Sequence, residues 1–276
     1  MYNRPVSKQH PLPKLDRISI LAAAILLAYI AARFIQFPAQ EISFDLLGIY
    51  LSFSFNIDVV TAIFVVGLTG TGVDWLLREH PALEGGRTIQ HWLLPTLTAW
   101  TIGVALAQLP LGPLWWPGVV LGSSFLIVVV LAEYITVDPQ DGRRVFASMG
   151  LTAVAFSLFL ILGVALRTQE IRLFLMMPGM TIAIGLISLR VLHLRLQGRW
   201  APAPAVVIMM ITGQVAAALH YLPLSPTGFA LTLVGIAYAV TTLAASILEG
   251  RSWQQLLIEP LFVFVLTWGI AFTLLV

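Results

Sequence analysis

The sequence predicts an all-α polytopic bundle of about nine membrane-spanning helices. Three observations predict it: the apolar composition, the recurrence of apolar runs of spanning length, and a one-sided distribution of Lys and Arg. Of 276 residues, 59% are hydrophobic and only 10% are charged, against roughly 25% charged in soluble domains. A water-soluble fold cannot hide that much apolar surface. The net charge of +2 is small and scattered rather than gathered on a basic face, so nucleic acid is not an expected partner. With 0 cysteines the chain can form no disulfide framework, thiolate zinc site, iron–sulfur cluster or cysteine nucleophile.

The first apolar run, Ile18 to Ile35, follows the basic residues Arg4, Lys8, Lys14 and Arg17. It is long enough to span and precedes no clear small-x-small cleavage site, so it reads as an uncleaved signal anchor. Residues 1–17 are then a basic cytoplasmic tail and residues 18–276 a single transmembrane helical domain. Runs of the length a spanning helix needs, about 20 residues, recur near 18–36, 57–77, 91–109, 114–134, 146–166, 171–192, 203–222, 226–247 and 255–275. Between the first two, the stretch Phe44 to Ile57 interleaves apolar with small and polar residues. It reads either as an interfacial segment or as an extension of the second helix.

Short cytoplasmic loops carry an excess of Lys and Arg. With the N-terminus inside, Arg4, Lys8, Lys14, Arg17, Arg78, Arg87, Arg143, Arg144, Arg190, Arg195, Arg199 and Arg251 fall on the cytoplasmic side. Only Arg33, Arg167 and Arg172 of the 15 basic residues fall outside. A helix missed or invented in the middle would blur this asymmetry, so span count and orientation support each other. The expected location is the inner (cell) membrane, with the C-terminus on the outer side. Trp75, Trp92, Trp200 and Trp253 fall at the inner interface and Trp115 and Trp116 at the outer one, as an aromatic belt requires.

After the anchor helix the chain reads as four helical hairpins with charged cytoplasmic turns. Asp74, Glu133, Arg190 and Glu249 occupy the inner ends of the four descending helices at nearly constant spacing. Either an internal repeat or the shared length of the hairpins accounts for the period, and poor identity between units favours the latter.

A charge near the bilayer centre costs at least ~2.5 kcal/mol, and no Asp, Glu, Lys or Arg lies at the middle of a predicted span. The deepest clear polar residue is Gln214. This speaks against an ion-coupled transporter, which needs ionisable relays or broken helices near the midplane. Helical spacing groups the remaining polar residues into faces: Gly67, Gly70, Thr71, Asp74 and Arg78 on the second helix, with Asp74 able to pair with Arg78 at i, i+4; Arg190, His193 and Gln197 on the sixth; and Tyr238, Thr242, Ser246 and Glu249 on the eighth. Polar stripes avoid lipid, so these faces are expected to turn inward. With His91 opening the third helix and Glu133 closing the fourth, Asp74, Arg78, His91, Glu133, Arg190, His193 and Glu249 form a candidate polar vestibule. Arg190 and His193 have the chemistry to grip a phosphate or carboxylate, with a carboxylate as base or cation ligand. The same residues equally suit an interhelical ion-pair network that holds helix register.

The turn Asp138-Pro139-Gln140-Asp141-Gly142-Arg143-Arg144 resembles the opening of the CDP-alcohol phosphotransferase signature. The following helix lacks that family's two further aspartates, and an Asx and Gly turn explains the segment. The chain has no His-Glu-x-x-His motif, Walker loop, Gly-x-Ser-x-Gly elbow or paired Asp-rich motif. No metal site and no cofactor is assigned. The run Gly72-Val73-Asp74-Trp75-Leu76-Leu77-Arg78-Glu79-His80-Pro81, followed by His91-Trp92-Leu93-Leu94-Pro95, resembles an uncharacterised family of bacterial multi-pass membrane proteins. That resemblance implies no activity and no site residue.

The expected role is a non-catalytic subunit, scaffold or assembly factor of an inner-membrane complex, its partners being membrane lipids and a membrane protein or a second copy of the chain. Its rival is an enzyme or carrier acting on a lipid-linked or amphipathic substrate at the vestibule, with a transporter third.

Overall fold

The computed structural model describes residues 15–34, 40–46, 49–55, 57–83, 88–251 and 253–274, with the side chains of 15, 32–33, 40–46, 49–55, 57–59 and 253–256 left out. The basic tail, including Arg4, Lys8 and Lys14, and the loop residue Arg87 therefore lie outside the described residues, as do the side chains of Arg33 and Trp253.

Among the described residues nine α-helices form the fold: α1 Leu15–Phe34, α2 Ile57–Leu77, α3 Leu93–Gln108, α4 Trp115–Thr136, α5 Arg144–Thr168, α6 Leu173–Arg195, α7 Pro202–His220, α8 Pro226–Leu248 and α9 Trp253–Thr273. Their limits follow the apolar runs to within a few residues. Six of them, α2 and α4–α8, are long and apolar enough to cross a membrane by length and composition. α3, at 16 residues, spans about 24 Å at 1.5 Å per residue. The 3-10 turn Ile89–His91 ahead of it adds to that length.

Between α1 and α2 lies an antiparallel hairpin, β1 Gln40–Leu46 with β2 Ile49–Phe55, paired from Gln40 with Phe55 to Leu46 with Ile49. The extension of the second helix back to Phe44 is thereby corrected, since α2 begins at Ile57. The physical reason is visible in Ile49-Tyr50-Leu51-Ser52-Phe53-Ser54-Phe55, where apolar and small polar residues alternate with the period of a strand rather than of a helix.

Local chemistry sets several helix ends. Pro202 and Pro226 open α7 and α8, where a missing N–H costs nothing. Ser225 caps α8, its Oγ accepting from the Gly228 N–H at 3.1 Å. α6 closes with Gln197 and Gly198 both at positive φ, 54° and 92°, a reversal that only the second residue makes without strain.

Two buried apolar clusters hold the bundle. One joins α3 to α8, with Leu158, Phe159, Leu162, Met180, Ile187 and Phe229 at its centre; the other joins α1–α4 around Ile25, Val73, Leu77, Trp115 and Val119. α3 and α4 contribute to both. Trp115 is only 2% exposed and packs in the second cluster, edge-on to Trp116 at 5.2 Å. At the start of α4 it therefore faces protein rather than lipid, whereas Trp116, Trp75 and Trp200 are exposed.

Not every polar stripe turns inward. Thr242 and Ser246 on α8 and Arg190 and His193 on α6 are buried. On α2, however, Thr71 is exposed and Gly67 has open space where a Cβ would stand. Thr71 tolerates this because its hydroxyl donates to its own helix, to Gly67 O at 2.9 Å. A hydroxyl satisfied by the preceding turn no longer needs a partner helix.

Candidate functional site

The seven candidate residues separate into three groups, all at the Arg-rich end of the bundle. The first gathers His91, Glu133, Arg190 and His193. Glu133, near the end of α4, is 0% exposed and Arg190, in the last turns of α6, is 1% exposed. The Arg190 guanidinium meets the carboxylate side-on. Its Nε donates to Glu133 Oε1 at 3.0 Å and its Nη2 to Glu133 Oε2. This two-point grip is the strongest neutralising geometry open to an arginine and a carboxylate.

Two further donors are used nearby. Arg190 Nη2 donates to Thr136 Oγ1 at 3.2 Å, and Nη1 donates to His193 Nδ1 at 3.1 Å. An arginine cannot accept, so His193 Nδ1 is the acceptor and its proton resides on Nε2. His91 Nδ1 lies 2.9 Å from Glu133 Oε2; a carboxylate only accepts, so this nitrogen carries its proton. The 3.2 Å approach of Arg190 Nη2 to the same nitrogen is then a contact between two donors drawn to one carboxylate. His193 in turn packs edge-on to Trp200 at 5.1 Å between ring centroids, and Trp200 is 44% exposed.

The second group holds Asp74 and Arg78. Arg78 Nε donates to Asp74 Oδ2 at 2.7 Å, the i, i+4 pair anticipated from the sequence, and Thr88 donates to Asp74 Oδ1 at 2.5 Å. Beside it, Arg17 of α1 pairs with Glu79 and lies 4.3 Å over the Trp75 ring. The third group belongs to Glu249, whose partners are Arg251 at 2.6 Å and Arg195 at 3.6 Å. Arg195 also reaches Glu259 of α9 at 3.7 Å, and Tyr238 donates to the same carboxylate at 2.7 Å. Asp74 and Glu249 are thus committed to their own partners and not to Arg190.

In the turn before α5 both aspartates act as backbone caps: Asp138 Oδ1 accepts from Gln140 N and Asp141 Oδ1 from Arg143 N, each at 2.8 Å. This is the Asx geometry expected there. Among the described residues no group of three or more His, Asp or Glu side chains is placed to hold a metal ion.

Sequence reasoning missed Thr136, Thr88, Arg195 and Glu259 as members of these groups. Thr136 had a signal, since it follows Glu133 by three positions on the same face. Thr88 and Glu259 had none, because their partners lie on separate elements.

The chain matches a family model over residues 37–274, described as protein of unknown function (DUF5656). It belongs to that family. The matched region takes in the hairpin and α2–α9, and with them all four members of the buried network, His91, Glu133, Arg190 and His193. Membership agrees with the uncharacterised family that the α2–α3 motif resembles. No curated protein and no solved structure matches the chain.

Proposed function

We propose that this protein is a non-catalytic subunit, scaffold or assembly factor of an inner-membrane complex, with its N-terminus in the cytoplasm and its C-terminus outside. One observation carries the reading: the most deeply buried charges are spent on one another. Each of the three guanidinium nitrogens of Arg190 donates to a protein acceptor, and both oxygens of Glu133 are taken. A network in which both carboxylate oxygens and four of the five guanidinium N–H donors are engaged ties helices together rather than presenting its charge to a substrate.

The geometry gives the tie its purpose. Glu133 and His91 stand beside α3 and α4, the helices shared by both apolar clusters, whereas Arg190 stands on α6 in only one of them. α4 packs on α1, α3 and α5 rather than closely on α6, so the long Arg190 side chain bridges helices that their backbones do not join. The exposed arginines Arg78, Arg143, Arg199 and Arg251 lie at the same Arg-rich end, the first, second and fourth paired with Asp74, Asp141 and Glu249, and form the surface that meets a membrane-protein partner and anionic head groups.

The test is extraction of the chain in native-lipid nanodiscs. A membrane-protein partner in fixed stoichiometry is expected, released when Arg78, Arg143, Arg199 and Arg251 are changed to Glu. Recovery of the chain alone, with turnover of a lipid substrate, would overturn the reading.

A further inference from the structure

Along α7 the exposed residues Ala203, Val207, Met210, Gln214 and Ala218 recur at intervals of three and four and lead to exposed Tyr221 just past the helix. This is the heptad spacing along which one helix packs on another. The opposite face, with Ala205, Ile208, Thr212 and Ala216 buried, is already occupied by α6 and α8. α7 therefore carries a second packing seam that no element among the described residues covers.

The seam is apolar or small except at Gln214, which lies just beyond the midpoint of the 19-residue helix. Its amide is exposed and makes no hydrogen bond among the described residues. A primary amide has two donor hydrogens and an oxygen with two lone pairs, and leaving these in hydrocarbon is costly. Several exposed serines and threonines of the bundle escape that cost by bonding to their own helix, as Ser124 does to Val120 O and Ser157 to Ala153 O, at 2.8 and 2.9 Å. Gln214 does not.

We propose that two copies of the chain pair in the membrane along this α7 seam, with their Gln214 amides hydrogen-bonded to each other across a twofold axis normal to the bilayer. The amide is complementary to itself, being donor and acceptor at once. A twofold along the membrane normal also brings the two amides to the same depth without further adjustment, whereas an unrelated helix must supply a polar group at that depth by separate design. One polar residue in an otherwise apolar seam sets register and partner, and Ala203 and Ala218 let the backbones come close. This pairing stands independently of the scaffold role proposed above.

Because the sequence has 0 cysteines, single-cysteine crosslinking in native membranes tests it directly. Met210→Cys and Ala218→Cys are expected to give disulfide-linked dimers, and Val120→Cys on α4 and Phe262→Cys on α9, both exposed, are not. Adding Gln214→Leu to Ala218→Cys should lower the crosslinked fraction roughly threefold, the scale of one interhelical side-chain hydrogen bond in a membrane, and Gln214→Asn should retain most of it. Dimers at 120 or 262 but not on the seam, an unchanged fraction with Gln214→Leu, or adducts to a different protein would each overturn the proposal. If Gln214→Leu fails to fold, the positional pattern of the four cysteines still decides.

Discussion

Arg190 on α6 and Glu133 on α4, 57 residues apart in the chain, face each other through two charge-assisted hydrogen bonds in a site that excludes solvent. Taking both ions out of water is expensive, and only the completeness of their pairing offsets it. The energetic consequence is asymmetric.

Removing one partner leaves the other charge buried and uncompensated, a loss of about 3–5 kcal/mol. Glu133→Leu and Arg190→Leu are each expected to lower the unfolding temperature in detergent markedly, and Glu133→Gln less, because it keeps an acceptor. The double replacement Glu133→Leu with Arg190→Met should recover much of the loss. The intrinsic fluorescence of the 8 tryptophans reports the transition. A double variant as unstable as the sum of the singles would show that the pair acts independently rather than as one clasp.

At the α8–α9 contact a Cβ built on Gly235 falls 2.1 Å from Thr267 Oγ1 and 3.1 Å from its Cβ. Rotation of Thr267 about χ1 can move its Oγ1 but not its Cβ, so the two helices must still give by a few tenths of an ångström. Gly235→Ala is expected to cost about 1–3 kcal/mol by overpacking, and Gly235→Leu to displace α9. α9 rests chiefly on α8, so the damage should stay local: protease sensitivity near α9 should rise while α1–α7 remain folded. Loss of the whole bundle would contradict this division.

The orientation expected from the basic census can be read with single cysteines. Glu170 and Gln140 are exposed at opposite ends of α5. A membrane-impermeant maleimide should label Glu170→Cys in intact cells and Gln140→Cys only after permeabilisation. The reverse pattern would invert the topology.

Ser225 caps α8 through its Oγ and also donates to Leu274 O at 3.2 Å. Ser225→Ala should destabilise by about 1 kcal/mol, the usual worth of an N-cap, whereas Ser225→Asp should retain the cap. Thermal melts followed by circular dichroism compare the two variants, and equal midpoints would show that the capping oxygen contributes nothing.

The local relationships were legible before any tertiary contact was known. Asp74 and Arg78 are four residues apart on one helix, so their pairing follows from helical pitch alone. The turn at Asp138 and Asp141 is likewise set by side chains that bond to the backbone two residues on. The alternation in residues 49–55 was also there to be read, but its apolar content resembles that of the neighbouring spans, and hydropathy alone does not separate strand from helix.

Fold class, helix limits and the end of the bundle at which charge collects could all be read from the chain alone. They depend on apolar run length and helical period, which are properties of each segment in isolation. Packing in three dimensions was needed to establish that Glu133, rather than Asp74 or Glu249, receives Arg190, that Trp115 is buried, and that Gln214 faces outward. Each of those depends on the rotation of one helix against another, set by interdigitating side chains across the whole bundle.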